Sequence, residues 1–138
     1  MNPTVSRCLS LDGAAPKVRA AMLGLIEENL RVLADALALR DWNFVVSPEP
    51  CAPQFNAQIE PVFGRKLATL RVRADFLCLT PHQQRHSLTH ELLHCHLAPT
   101  QAVAREVLPK RALGTFTVNL EYGVDGLADA VAPLLPLP

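Results

Sequence analysis

Proline is the residue that most limits the regular structure available to this chain. Twelve of its 138 residues are prolines, and a proline lacks the amide hydrogen that a helix interior or a central strand needs. We therefore expect short elements, with the strongest interruption at Pro48, Pro50 and Pro53. The length corresponds to about one ordinary domain, so we predict a single domain over residues 1–138, irregular at 1–15 and 133–138.

The composition disfavours several classes of protein. Hydrophobic residues make up 49% of the chain and charged residues 19%, which suits a packed core and not a disordered segment. Thirteen basic and thirteen acidic residues give a net charge of zero, whereas nucleic-acid-binding proteins usually have a basic excess. We therefore expect no nucleic-acid partner. The longest apolar stretch, 18–39, contains several charges, so we expect no membrane association.

The cysteines and the amino terminus bear on the compartment. The four cysteines have no CxxC spacing, which argues against a zinc ribbon or a thioredoxin-type pair. The first eleven residues lack the charged region and apolar run of a signal peptide. We predict a cytoplasmic protein with reduced, mostly buried thiols; the sequence does not indicate an oligomeric state.

The hydrophobic pattern predicts an α+β fold. An N-terminal helix of about twenty residues follows Pro16, with apolar side chains at helical spacing. Short strands are expected at 42–47, 56–62, 66–73 and 74–79. Because the strands are close in sequence, we predict a small, twisted, mostly antiparallel sheet of three to four strands.

Helices are predicted after the strands. Thr80, Pro81 and Gln83 form a capping-box start, and Pro99 is expected to end this helix after about His96. The remaining elements are a short helix at 100–108, a loop at 109–116 and a last helix at 118–131 capped by Thr117.

The first of these helices contains the sequence His90-Glu91-Leu92-Leu93-His94. Histidines at i and i+4 lie on one helical face and can converge on one Zn²⁺. Glu91 lies about 100° around the helix from His90, where it can act as a general base without binding the metal. The opposite face is apolar, so the histidine face is free to border a cleft.

A catalytic zinc site needs a third protein ligand. Since no histidine or cysteine follows His96, a downstream ligand must be one of four carboxylates, Glu106, Glu121, Asp125 or Asp129. Glu121 and Asp125 stand out because they lie at i and i+4 on the last predicted helix. A site that uses both His86 and His94 is disfavoured, because about 12 Å of helical rise separates them.

These two motifs, His90-Glu91-x-x-His94 and Glu121-x-x-x-Asp125, resemble those of the gluzincin clan of thermolysin-like zinc metallopeptidases. The size and element order are similar to the single-domain minigluzincins and to small phage- or prophage-type metallopeptidases. The resemblance implies a zincin-like fold, peptide or protein substrates, and one Zn²⁺ bound by His90, His94 and Glu121. It also implies Glu91 as the general base and Asp125 as the residue that orients His90.

The residue that stabilises the oxyanion and the strand that pairs with substrate are each predicted with an alternative. Thermolysin-like enzymes stabilise the oxyanion with a His or Tyr beyond the Glu-bearing helix, and this chain has neither there. Tyr122 and His86 are the candidates instead; the alternatives are a half-buried packing role for Tyr122 and a solvated or supporting position for His86. Residues 66–73 are expected either to pair with substrate as a sheet edge or to form an ordinary strand with solvated arginines.

A zinc metallopeptidase is the first function that these residues predict. The alternative is a catalytically weak or inactive zinc-binding module that contacts other proteins, which the missing electrophile and the small size favour. A domain without zinc is disfavoured by the two paired i, i+4 motifs.

Overall fold

The computed structural model describes residues 10–62 and 64–138. Within these ranges, three helices and a three-stranded sheet make this an α+β fold, as predicted. In chain order the elements are helix α1 (Pro16–Ala36), strands β1 (Asn43–Val46), β2 (Ala57–Pro61) and β3 (Leu67–Val72), and helices α2 (Pro81–Val107) and α3 (Lys110–Val131). Two 3₁₀ turns, Phe76–Cys78 and Ala132–Leu134, precede α2 and follow α3.

The sheet is mixed, so the expectation of a mostly antiparallel sheet is wrong. Its strand order is β1-β3-β2, and β3 runs antiparallel to β2 and parallel to β1. A hairpin joins β2 to β3 near Gly64, whose φ of 68° favours glycine. The parallel pair arises because the proline-rich connection 47–56 is long enough to carry the chain past β3 to the far edge of the sheet.

The fourth predicted strand, 74–79, is also wrong. The chain turns at this point, because the amide of Phe76 donates to the carbonyl of Arg73 and the amide of Leu79 donates to that of Phe76. The turn buries Phe76 to 1% exposure in the core. A short apolar run can bury its side chains in a turn as well as in a strand, so periodicity alone does not distinguish these two structures.

The core lies between α1, the sheet and one face of α2. α1 begins at Pro16, as predicted, and buries a stripe at helical spacing. The fully buried leucines and isoleucine of this core include Ile26, Leu30, Leu70, Leu88 and Leu92. Because the apolar side of α2 is used in this way, its opposite side is left for the histidines.

Helix α2 is one continuous helix, and the predicted break at Pro99 is wrong. Its start is as predicted: Thr80 and Gln83 form both hydrogen bonds of a capping box. Pro99 lies inside the helix, although it removes one backbone hydrogen bond at a cost of about 3 kcal/mol. Packing of α2 against β2 and α3 offsets the cost.

Helix α3 begins at Lys110, so the predicted loop at 109–116 is wrong. Pro109 occupies the position before the first helical residue and separates α3 from α2. Thr117 does not cap the helix; its hydroxyl donates to the carbonyl of Leu113 one turn earlier. Gly114 lies within α3, since a single glycine costs a helix only about 1 kcal/mol.

The two segments that were predicted to be irregular lie at the ends of the chain. Residues 10–15 form turns, and the predicted irregular segment 1–9 lies outside the described residues. At the carboxyl end, Ala132–Leu134 is a 3₁₀ turn where irregular chain was expected. Buried Arg85 donates to the carbonyl of Leu135 at 2.9 Å, which ties this tail to α2.

The prediction of free cysteine thiols is confirmed for two cysteines and wrong for one. Cys51 and Cys95 are free and buried, but Cys78 is disulfide-bonded. Burial raises the pKa of the Cys95 thiol to about 12, which supports its predicted packing role. Across the described ranges, no helix has both the length and the apolar character that crossing a membrane requires.

Candidate metal centre

The centre forms where α2 faces α3 and the edge of β2. His90 and His94 point away from the core, because Leu88, Leu92 and Cys95 on the other side of α2 are fully buried. Glu121 approaches from α3, which packs along α2. The structure thus brings together the two histidines of the first motif and the glutamate of the second.

Three donor atoms lie close enough together to share one metal ion. The Nε2 atoms of His90 and His94 are 3.3 Å apart. The Glu121 carboxylate has one oxygen 3.3 Å from His90 Nε2 and the other 3.0 Å from His94 Nε2. Donors held tetrahedrally at about 2.0–2.1 Å from a metal are about 3.3–3.4 Å from each other, so the donor set fits a metal of zinc's size.

Asp125 contacts the other nitrogen of His90. Its Oδ1 lies 3.0 Å from His90 Nδ1, which suits an Nδ1–H that donates to the carboxylate. A proton fixed on Nδ1 leaves the Nε2 lone pair free to bind a metal. The predicted position of Asp125 behind His90 is therefore the position that the structure shows.

The contacts between α2 and α3 form a ladder. His94 contacts Glu121, and one helical turn away His90 contacts Asp125. The ladder continues with a third contact, 2.8 Å between His86 Nε2 and Asp129 Oδ1. Because both helices place these residues at i, i+4 spacing, their antiparallel alignment sets the register of all three contacts.

Glu91 is the most buried carboxylate of the site. Its side chain is 12% exposed, and one oxygen accepts a hydrogen bond from the amide of Ile59 in β2 at 2.9 Å. The other oxygen lies 3.8 Å from His90 Nε2. Burial, aided by the charge of Glu121 and opposed by the Ile59 amide, raises the pKa of Glu91 to about 8.

The surroundings of His94 favour the protonation state that a metal ligand needs. Burial lowers the pKa of its imidazole below the ordinary value; the proximity of His90 acts in the same direction and Glu121 acts against it. The neutral ring is therefore favoured near pH 7. A neutral imidazole is the form that binds a metal ion.

A cleft of about 500 Å³ opens in front of these side chains. Its walls are β2 on one side and α2 with Glu121 on the other. The predicted edge at 66–73 is wrong, because β3 is the central strand of the sheet. β2 is the edge strand that borders the cleft instead, because the connection 47–56 takes the chain past β3.

Neither candidate for the oxyanion stabiliser reaches the centre of the cleft. Tyr122 is 80% exposed, which also excludes the half-buried packing role, because it lies on the solvent side of α3. His86 lies near one end of the cleft beside Ser87 and His90, but its imidazole is engaged by Asp129. His86 therefore supports the contact of α2 with α3.

Sequence reasoning missed several contributors to the cleft. Among them are the amide of Ile59 and two residues late in α2, Gln101 and Arg105. Gln101 and Arg105 follow His94 by seven and eleven positions, a spacing that keeps one helical face. That signal was lost because the helix was expected to end before Pro99.

Comparison with family models, with curated proteins and with solved structures finds no match to this chain. The resemblance to thermolysin-like metallopeptidases therefore stays a prediction from the two motifs.

Proposed function

We propose that this chain is a zinc-dependent metallopeptidase of zincin-like fold. The observation that supports the proposal most is the convergence of His90, His94 and Glu121 donors within 4.8 Å of one another, beside a buried carboxylate and a cleft. Two imidazoles and one carboxylate suit zinc, whereas calcium and magnesium prefer sites built of oxygen.

Each side chain has a distinct part in this proposal. His90, His94 and Glu121 hold the metal, and Asp125 keeps the proton of His90 on Nδ1. A zinc ion held there supplies a Lewis acid toward a carbonyl group and lowers the pKa of water. Glu91 accepts the proton of the attacking water and passes it to the leaving amine. The Ile59 amide holds one Glu91 oxygen and leaves the other directed at the cleft.

The exposed edge of β2 supports a peptide as the substrate. Across the hairpin, the amide of Val62 donates to the carbonyl of Leu67, and the amide of Arg73 donates to the carbonyl of Asn56. The even-numbered residues of β2 therefore form its backbone hydrogen bonds to β3. Residues 57, 59 and 61 consequently direct their backbone groups outward, toward the cleft. The amide of Ile59 is engaged by Glu91 and Pro61 has no amide hydrogen, so a peptide lying in the cleft would meet the amide of Ala57 and the carbonyls of these three residues. Such main-chain groups are partners of the kind that strand addition uses.

A zinc-binding module without efficient catalysis is the second candidate. It is favoured because Tyr122 is turned to solvent and His86 is paired with Asp129. Among the described residues, neither side chain is placed to stabilise an oxyanion. The cytoplasmic location stays a prediction, and the disulfide at Cys78 is less common in that compartment.

Glu91→Gln tests the catalytic proposal. The variant should keep the zinc content of the parent, since Glu91 is not a ligand, and should lose cleavage of a mixed peptide library by about 10²–10⁴-fold. Glu106→Gln is the control, because Glu106 is an exposed carboxylate on α2 that does not line the cleft. Cleavage by Glu91→Gln at the rate of the parent would contradict the mechanism, and absence of cleavage by the zinc-loaded parent would favour the second candidate.

A further inference from the structure

Within residues 10–62 and 64–138, Arg105 is the one basic side chain that lines the cleft apart from the histidines. It is in this wall because α2 continues through Pro99 and places Gln101 and Arg105 on the same face as His94. Nothing in the proposed mechanism uses it.

The guanidinium of Arg105 has no partner among the residues that the structure describes, whereas the neighbouring carboxylates of the cleft are engaged. Glu60 accepts from Arg71 at 2.8 Å, and Glu121 faces both histidines. Arg105 is exposed and offers a planar set of donors whose geometry matches a carboxylate.

The position of Arg105 defines one end of the cleft. β2 and α2 run in the same direction along it, because Asn56 contacts Ser87 and Ile59 contacts Glu91. Eleven positions separate His94 from Arg105, which is roughly 16 Å along the helix, and the arginine side chain leans back toward His94. An extended peptide covers about 3.3 Å per residue, so the guanidinium lies roughly three to five residues from the centre.

We propose that Arg105 is a specificity-determining residue that binds a carboxylate of the peptide, so that the cleft selects anionic peptides. The carboxylate lies about three to five residues from the metal centre. It belongs either to the carboxyl terminus of the peptide or to an Asp or Glu side chain. This inference rests on the proposed function, because it takes the ligand of the cleft to be a peptide.

Peptide binding tests the inference without turnover. The full chain carrying Glu91→Gln is loaded with zinc and titrated with heptapeptides that bear a neutral fluorophore. One peptide is uncharged and amidated, a second has the same sequence with a free carboxyl terminus, and a third set is amidated with one Glu at each position in turn. The same titrations are made with Arg105→Gln added to this variant. They are repeated with Arg40→Gln added instead, as a control for an exposed cation that does not line the cleft.

At least one carboxylate peptide should bind about tenfold or more tightly than the uncharged peptide, as charge-assisted pairing predicts. Arg105→Gln should abolish this preference, and Arg40→Gln should retain it. Preference for the free terminus identifies a terminal carboxylate, and preference for Glu at one position identifies an acidic side chain. Equal affinities for charged and uncharged peptides, no binding of any peptide, or a preference that survives Arg105→Gln would each overturn the inference.

Cleavage by the parent enzyme separates this inference from the proposed function. Charge-selective binding that depends on Arg105, in a chain that cleaves no peptide, would leave the inference standing and reject the peptidase. Cleavage that is indifferent to peptide charge in both the parent and Arg105→Gln would leave the peptidase standing and reject the inference.

Discussion

At the scale of single residues, the site depends on the proton positions of two side chains. His90 must present an unprotonated Nε2, and the carboxylate 3.0 Å from its Nδ1 favours that tautomer. Glu91 must be able to accept a proton, although burial raises its pKa to about 8. A bound dication beside Glu91 would favour the ionised carboxylate. Glu91 would therefore act as a base most readily when a metal ion is bound beside it.

Replacing Asp125 by Asn should weaken zinc binding by about 10–100-fold, because Asn is a weaker acceptor for the Nδ1–H of His90. Competition with a chromophoric zinc chelator measures the change. Asp129→Asn is the matched control, since Asp129 contacts His86 one turn further along the same ladder. Equal zinc affinities for the two variants would show that Asp125 does not support His90.

Glu91 also predicts how the stability of the metal-free protein depends on pH. Its pKa rises from 4.5 to about 8 on folding, so the folded state holds an extra proton between these values. The free energy of unfolding should fall by a few kcal/mol at most as pH increases across this window. Glu91→Gln should remove that loss.

Denaturant unfolding of both proteins in a chelator, from pH 4.5 to 8, measures the effect. The lowered pKa of His94 acts in the opposite direction, stabilising the fold as pH rises toward the ordinary histidine value. His94 is present in both proteins, so the difference between them isolates Glu91. Parallel pH profiles for the parent and Glu91→Gln would contradict the assignment.

At the scale of elements, helix α2 links the candidate metal centre to the end of the cleft. Its first half binds the core through Leu88 and Leu92 and presents the histidines. Its second half, beyond Pro99, places Arg105 at the cleft. The position of Arg105 at the cleft therefore depends on the helix continuing through a proline.

Pro99→Ala should raise the free energy of unfolding by about 1–3 kcal/mol, since alanine supplies the missing amide hydrogen and removes the clash with the preceding turn. Thermal and denaturant unfolding of the two proteins, both without metal, measures the difference. A variant that is no more stable than the parent would show that α2 is interrupted at this position.

The elements with a clear local signal could be predicted from the sequence. Pro16 and the apolar stripe after it define α1, and Thr80 with Gln83 defines the start of α2. The errors lie where tertiary packing overrides local preference. Pro99 and Gly114 both lie inside helices, and the parallel pairing of β1 with β3 depends on a crossover that no local pattern specifies.

At the scale of the whole molecule, three separate parts of the chain form the centre. α2 supplies two histidines and Glu91, α3 supplies Glu121 and Asp125, and β2 supplies the amide that holds Glu91. The i, i+4 spacing of each motif was readable in the sequence because it lies within one helix. The contribution of β2 was not, because a backbone amide carries no sequence signal.

Zinc stoichiometry tests the central claim most directly. The protein, purified without added metal and then titrated with zinc in the presence of a competing chelator, should bind one ion per chain. His94→Ala and Glu121→Ala should each lose or greatly weaken that binding, whereas Asp129→Asn should retain it. No zinc bound to the parent, or unchanged binding in Glu121→Ala, would contradict the three-ligand centre on which the proposed function depends.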